Sequence, residues 1–86
     1  MRKKVHHLKI YPEYFEKVKS GKQRFEIRYN DRNFQEGDIL NLKEYCPKKG
    51  YTGQSIQVSV DYVMEGSGAA KFGLKIGYVV MSISTL

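Results

Sequence analysis

The chain has 86 residues, one cysteine and a formal net charge of +6. That length fits one small domain spanning residues 1–86, whose core must use nearly every apolar strand and helix face, and it leaves little room for a deep enzyme cavity. The lone Cys46 excludes an internal disulfide and fits a reducing compartment; it reads as a loop thiol before Pro47, with no second cysteine for a metal pair. No apolar run approaches the roughly 20 residues that span a bilayer, and the basic start MRKKVHHLKI lacks the long apolar segment of a signal peptide. A cytoplasmic protein with no membrane contact is expected. The excess of Lys and Arg favours a polyanionic partner, because such side chains displace counterions condensed on nucleic acid; general basicity that binds nothing specific is the competing reading.

No repeat or linker divides the chain. VHHLKI (5–10) alternates as a first strand, with His6, Leu8 and Ile10 on one face and Val5, His7 and Lys9 on the other. Pro12 sets the first turn of a helix in which Tyr11, Tyr14, Phe15 and Val18 form an aromatic inner stripe, ended by Ser20 and Gly21. A second strand is expected over 23–29, a turn-rich loop over 30–38 and a third strand over 39–45. CPKKGYTGQ then reads as a turn before SIQVSVDYVM (55–64), in which Ile56, Val58, Val60, Tyr62 and Met64 alternate as one buried face. EGSGAAKFGLKIG (65–77) is a loop with one short helical turn, and YVVMSIS (78–84) is the last strand. Five strands and one helix with Gly-rich corners predict a mainly β (α+β) fold, a small closed or nearly closed barrel plugged by the helix.

The segment KQRFEIRYNDRNFQEGD (22–38) carries the functional question. Its alternation puts Phe25, Ile27 and Tyr29 on one face, expected to be buried, and Arg24, Glu26 and Arg28 on the other. The polar face is either a surface ion-pair ladder or the wall of a cleft. In a cleft Arg28 can grip a phosphate or base edge with its fork of donors, and Glu26 can accept from an exocyclic amine. Asn30, Asp31 and Arg32 either cap the turn or join the site, whereas Arg24 reads as plain surface and Asp38 as a turn residue. Lys9 is a candidate for phosphate contact and Lys22 for ligand binding, and Tyr62 and Tyr78 either stack on a base or fill the core. His6 reads as a packed, hydrogen-bonded histidine; since His6 and His7 face opposite ways, they do not form a metal site together. GSG (66–68) lacks the following Lys-Ser/Thr and helix of a P-loop and reads as a flexible loop.

The stretch from His6 through HLKIYPEYFEKVKSGKQRFEIRYNDRNFQEGDILNLKEY, followed by YTG and GLKIGYVVMSI, resembles a small ASCH-type domain of the PUA-like superfamily, close to an uncharacterised bacterial and phage group. The most specific part is the join of SGKxxFEIR to NDRxFxxGD. The resemblance implies a PUA-like β-barrel with an adjoining helix, a polar cleft and RNA binding. Some small ASCH proteins are amidohydrolases that remove the acetyl group of N4-acetylcytidine with a lysine and a threonine in the segment corresponding to GKQRFEIR. With Gly21 and Arg28 in register, Gln23 stands at the lysine position and Glu26 at the threonine position. Neither the base nor the hydroxyl nucleophile of that mechanism is then present.

The expectation is a protein that binds RNA or a nucleotide-like ligand through Lys9, Lys22, Glu26, Arg28, Asn30, Asp31, Arg32 and Tyr62, with no cofactor and no metal. Two rival readings stand beside it: a small hydrolase acting on a modified nucleoside with Glu26 as base, and a protein-interaction module of a mobile element.

Overall fold

The computed structural model describes residues 3–86, with the side chains of positions 67 and 69 outside the description. Met1 and Arg2 of the basic start therefore lie outside the described residues. The elements are β1 (Val5–Ile10), α1 (Pro12–Lys19), β2 (Phe25–Tyr29), β3 (Ile39–Cys46), β4 (Gly50–Glu65), α2 (Gly66–Ala70) and β5 (Tyr78–Thr85). The strands form one sheet in the order β1-β3-β4-β5-β2, with β1 parallel to β3 and the other pairings antiparallel. β1 and β2 are thus its two edges. A side chain of β2 reaches the main chain of β1, since Arg28 Nη2 donates to the Lys9 carbonyl at 2.8 Å, so the sheet curls into a half-barrel with an open seam.

The core lies inside this curl. Leu8 and Ile10 of β1, Leu40 and Leu42 of β3, Val58 and Val60 of β4, and Val79, Met81 and Ile83 of β5 are all buried, joined by Phe15 and Val18 of α1 and Phe34 of the β2–β3 loop. α1 ends as its sequence dictates: Gly21 takes φ +79° and its N–H bonds the Val18 carbonyl, a conformation that costs glycine nothing in sterics. Only part of the expected helical stripe is internal, because Phe15 and Val18 are buried while Tyr11 and Tyr14 remain exposed at the seam.

β2 departs most from the alternation reading. Phe25, Ile27 and Tyr29 are 47%, 50% and 58% exposed, whereas Glu26 is 4% exposed. Residues directly opposite across an antiparallel pair share a face. Glu26 pairs with Met81 and Arg28 with Val79, both core residues, so the polar face of β2 points inward and the apolar face outward. Alternation sets the period of a strand but not its phase; here the register with β5 sets the phase.

β4 also differs. It begins at Gly50, so most of the expected CPKKGYTGQ turn is strand, and Tyr51 pairs with Tyr45 across the hairpin. A bulge between Val60 and Tyr62 then breaks the alternation. Beyond it Val63 pairs with buried Met81 and packs on the core, while Tyr62 pairs with Ser82 and is half exposed.

Candidate functional site

The open seam holds a cleft of about 700 Å³. Its walls come from both edge strands and the helix start: Lys9 and Ile10 of β1, Tyr11 and Tyr14 at the head of α1, Gln23 and Phe25 to Arg28 around β2, and Tyr45 of β3. β1 and β2 have no strand between them, so their side chains meet the cleft where a closed barrel would continue its ladder.

Glu26 and Arg28 form the polar centre. Arg28 Nε donates to Glu26 Oε2 at 2.8 Å, and the two side chains are 25% and 5% exposed respectively. Burial pushes the Glu26 carboxyl above its ordinary value, while the charge and hydrogen bond of Arg28 oppose that rise. Arg28 is fixed at two points, by Glu26 and by the Lys9 carbonyl, and the rest of its fork of donors has no hydrogen-bond partner among the described residues. Gln23 Nε2 donates to the Phe25 carbonyl at 3.0 Å, which ties this residue to the cleft wall.

Lys9 stands beside an aromatic pair. Its Nζ lies 4.3 Å from the Tyr45 ring centre and 5.7 Å from that of Tyr51, and the two rings meet edge to face at 5.1 Å. Arg32 lines a smaller cavity that shares Lys9 and Arg28 with the cleft. Lys9, Glu26, Arg28 and Arg32 are thus gathered around the seam.

The remaining expected residues are elsewhere or otherwise engaged. Lys22 is exposed in the turn after α1, and its neighbour Gln23 lines the cleft instead. Asn30 holds the loop: its Oδ1 accepts from the Phe34 N–H and its Nδ2 donates to Glu65, both at 3.1 Å. Asp31 is exposed and only loosely opposite Arg32, at 3.8 Å. Tyr62 stands on the outer face of β4 and does not line the cleft. Asp38 is more than a turn residue, because it is buried and its Oδ2 accepts from His6 Nε2 at 2.8 Å and from the Gln35 N–H at 3.0 Å. Burial alone would raise the Asp38 carboxyl, but the bonds from His6, Gln35 and Lys4 outweigh it and hold it below the ordinary value.

Tyr11, Tyr14, Phe25 and Tyr45 are cleft residues that sequence reasoning missed as such. A longer reading of the β3–β4 hairpin would have found Tyr45 opposite Tyr51, but the exposure of the other three depends on where the sheet stops. Among the described residues, no group of three or more His, Cys, Asp or Glu side chains is placed to hold a metal ion. No helix among them is long and apolar enough to cross a membrane.

Residues 5–83 match a family described as a domain of unknown function, DUF3850. The chain belongs to the DUF3850 family. It is 35% identical over 65 residues to an uncharacterised 12.9 kDa protein in the GpA 3′ region of Escherichia phage P2, an alignment covering 76% of this chain and 59% of the phage protein. The chain thus spans little more than half the length of that relative. A crystal structure of the hypothetical protein PH0355 superposes with a TM-score of 0.67 at 19% identity, covering 95% of this chain and 99% of the other. At that identity the likeness is one of fold.

Proposed function

We propose that this DUF3850 domain is a PUA-like barrel that binds RNA, or a nucleotide-like ligand, in the cleft between β1 and β2. The observation that carries the reading is the buried Glu26 carboxyl, paired on the concave face with an Arg28 that keeps a quarter of its side chain exposed. Burying a carboxyl beside a half-buried arginine is costly and hydrophobic residues would serve folding as well, so an ion pair kept at the wall of an open cleft suits recognition better than stability. A carboxylate accepts from an exocyclic amine, and a guanidinium held from one side offers its remaining donors to a phosphate or base edge. Tyr11, Tyr14 and Phe25 at the rim present aromatic faces on which an unpaired base can stack. The resemblance of SGKxxFEIR and NDRxFxxGD to ASCH-type domains supports the same reading.

The test is fluorescence anisotropy of labelled single-stranded, hairpin and duplex RNAs over a salt series. Binding to one RNA class that falls linearly in log affinity against log salt, and that is lost in Arg28→Ala, supports the proposal. Equal, weak affinity for every RNA in parent and variant overturns it.

One observation favours a second reading. A carboxyl raised by burial beside an arginine is the environment of a general base, so hydrolysis of a modified nucleoside with Glu26 as base is the rival. Turnover of acylated nucleosides, abolished in Glu26→Gln, would establish it.

A further inference from the structure

We propose that the smaller cavity beyond Lys9 and Arg28 is a phosphate site, so that the cleft takes a phosphorylated nucleotide and not a free nucleoside. This rests on the reading of the cleft as a nucleotide site. The cavity, about 340 Å³, is lined by the cations Lys9, Arg28, Arg32 and Lys43, with His7 and Tyr51 beside them, and no carboxylate lines it.

Three features mark these cations as awaiting an anion. Lys9 and Lys43 are register partners in the parallel β1–β3 ladder, so their side chains leave the same face next to each other. Neighbouring ammonium groups repel each other, and an anion between them relieves the repulsion. Neither lysine has an ion-pair partner among the described residues, and Arg32 reaches only the exposed Asp31, at 3.8 Å. Arg28, in contrast, is clamped by Glu26 and the Lys9 carbonyl, which aims it without using all of its donors.

The two cavities share Lys9 and Arg28 as a common wall. On one side are aromatic rings and a buried acceptor, Glu26, suited to a base. On the other side is a carboxylate-free cationic pocket, suited to the phosphate one sugar away. A nucleotide bound across that wall, free or within a strand, would use both cavities.

The experiment is a set of amide-resolved NMR titrations at fixed ionic strength, using inorganic phosphate, cytidine, cytidine 5′-monophosphate and a short oligocytidylate. The parent is compared with Lys43→Ala, and with Lys71→Ala as a charge control, since Lys71 is exposed and lines neither cavity. The monophosphate is expected to bind at least tenfold more tightly than cytidine. Lys43→Ala should remove most of that advantage and leave cytidine binding unchanged, while Lys71→Ala alters neither. Tighter binding of the oligonucleotide than of the monophosphate assigns the site to a strand, and equal binding to a free nucleotide. Equal affinity for cytidine and its monophosphate overturns the phosphate site, as does equal weakening by the two lysine variants. If phosphate shifts the amides of Lys9 and Lys43 but neither cytidine compound shifts those of Glu26 and Arg28, the phosphate site stands and the nucleotide reading of the cleft fails.

Discussion

Arg28 donates from Nη2 to the main-chain carbonyl of Lys9 at 2.8 Å, across the one place where the five-stranded sheet has no ladder. The same guanidinium neutralises buried Glu26 at 2.8 Å. A single side chain therefore joins two unpaired strand edges and balances the charge of the cleft between them, which ties the stability of the seam to its chemistry.

Arg28→Ala is accordingly expected to weaken RNA binding at least tenfold and to lower stability by about 1–3 kcal/mol, the cost of leaving a buried charged group without its partner. The domain should still fold. Arg28→Lys keeps the charge but not the fork, and should recover stability better than affinity. Urea midpoints and anisotropy on the same samples measure both, and unchanged values for each in Arg28→Ala would refute the assigned role.

Glu26 gives stability a definite pH dependence. Its carboxyl is raised in the folded state, so the folded chain holds this proton more firmly than the unfolded chain does. The group favours folding most below the unfolded value, and that contribution is lost as pH rises through the raised value. The stability of the parent relative to Glu26→Gln should therefore fall over that range. A difference that is flat with pH would show that burial does not govern this group.

Asp38 has the opposite sign. Its carboxyl is lowered, so its contribution is complete above the ordinary aspartate range and is lost as pH falls through the lowered folded value. Asp38→Asn should cost about 1–3 kcal/mol near neutral pH, because it weakens the acceptor shared by His6 and Gln35, and less in acid. Denaturation curves from neutral to acid pH for the two proteins should converge; parallel curves would count against the pairing.

The inverted face of β2 can be tested directly. Ile27 is 50% exposed and Leu42 fully buried. Ile27→Ser should change stability by no more than about 0.5 kcal/mol, and Leu42→Ala should cost about 2–5 kcal/mol. Comparable losses for the two would restore the orientation expected from alternation alone.

Gly77 adopts φ +93°, and a Cβ built there meets Tyr29 Cε1 at 2.9 Å. The Tyr29 ring is more than half exposed and can swing away, so the backbone conformation sets most of the penalty. Gly77→Ala should cost about 1–2 kcal/mol, chiefly from the left-handed φ. Tyr29→Ala added to it should restore only a small part, which thermal unfolding of both variants would reveal.

Much of the architecture is legible from residue types. Pro12 and Gly21 bound α1, the apolar alternation of β1, β3 and β5 marks which residues are internal, and Gly37 and Gly50 mark corners with positive φ. The candidate site was legible in part: Lys9, Glu26, Arg28 and Arg32 meet at the seam, while Tyr62 and Lys22 stand away from it. Tyr62 is displaced by one bulge, an extra residue that no pattern of period two announces.

Sequence by itself determined the kind and order of the elements, because helix caps, turn residues and alternation are local properties of the chain. Tertiary structure alone decided which face of β2 looks inward and which strands are edges. Both depend on partners distant in sequence: β2 takes its phase from β5, more than 50 positions along the chain, through Glu26 opposite Met81 and Arg28 opposite Val79. An edge strand at a cleft has no second neighbour to demand an apolar inner face, so polar residues can point inward there, and at this seam they do.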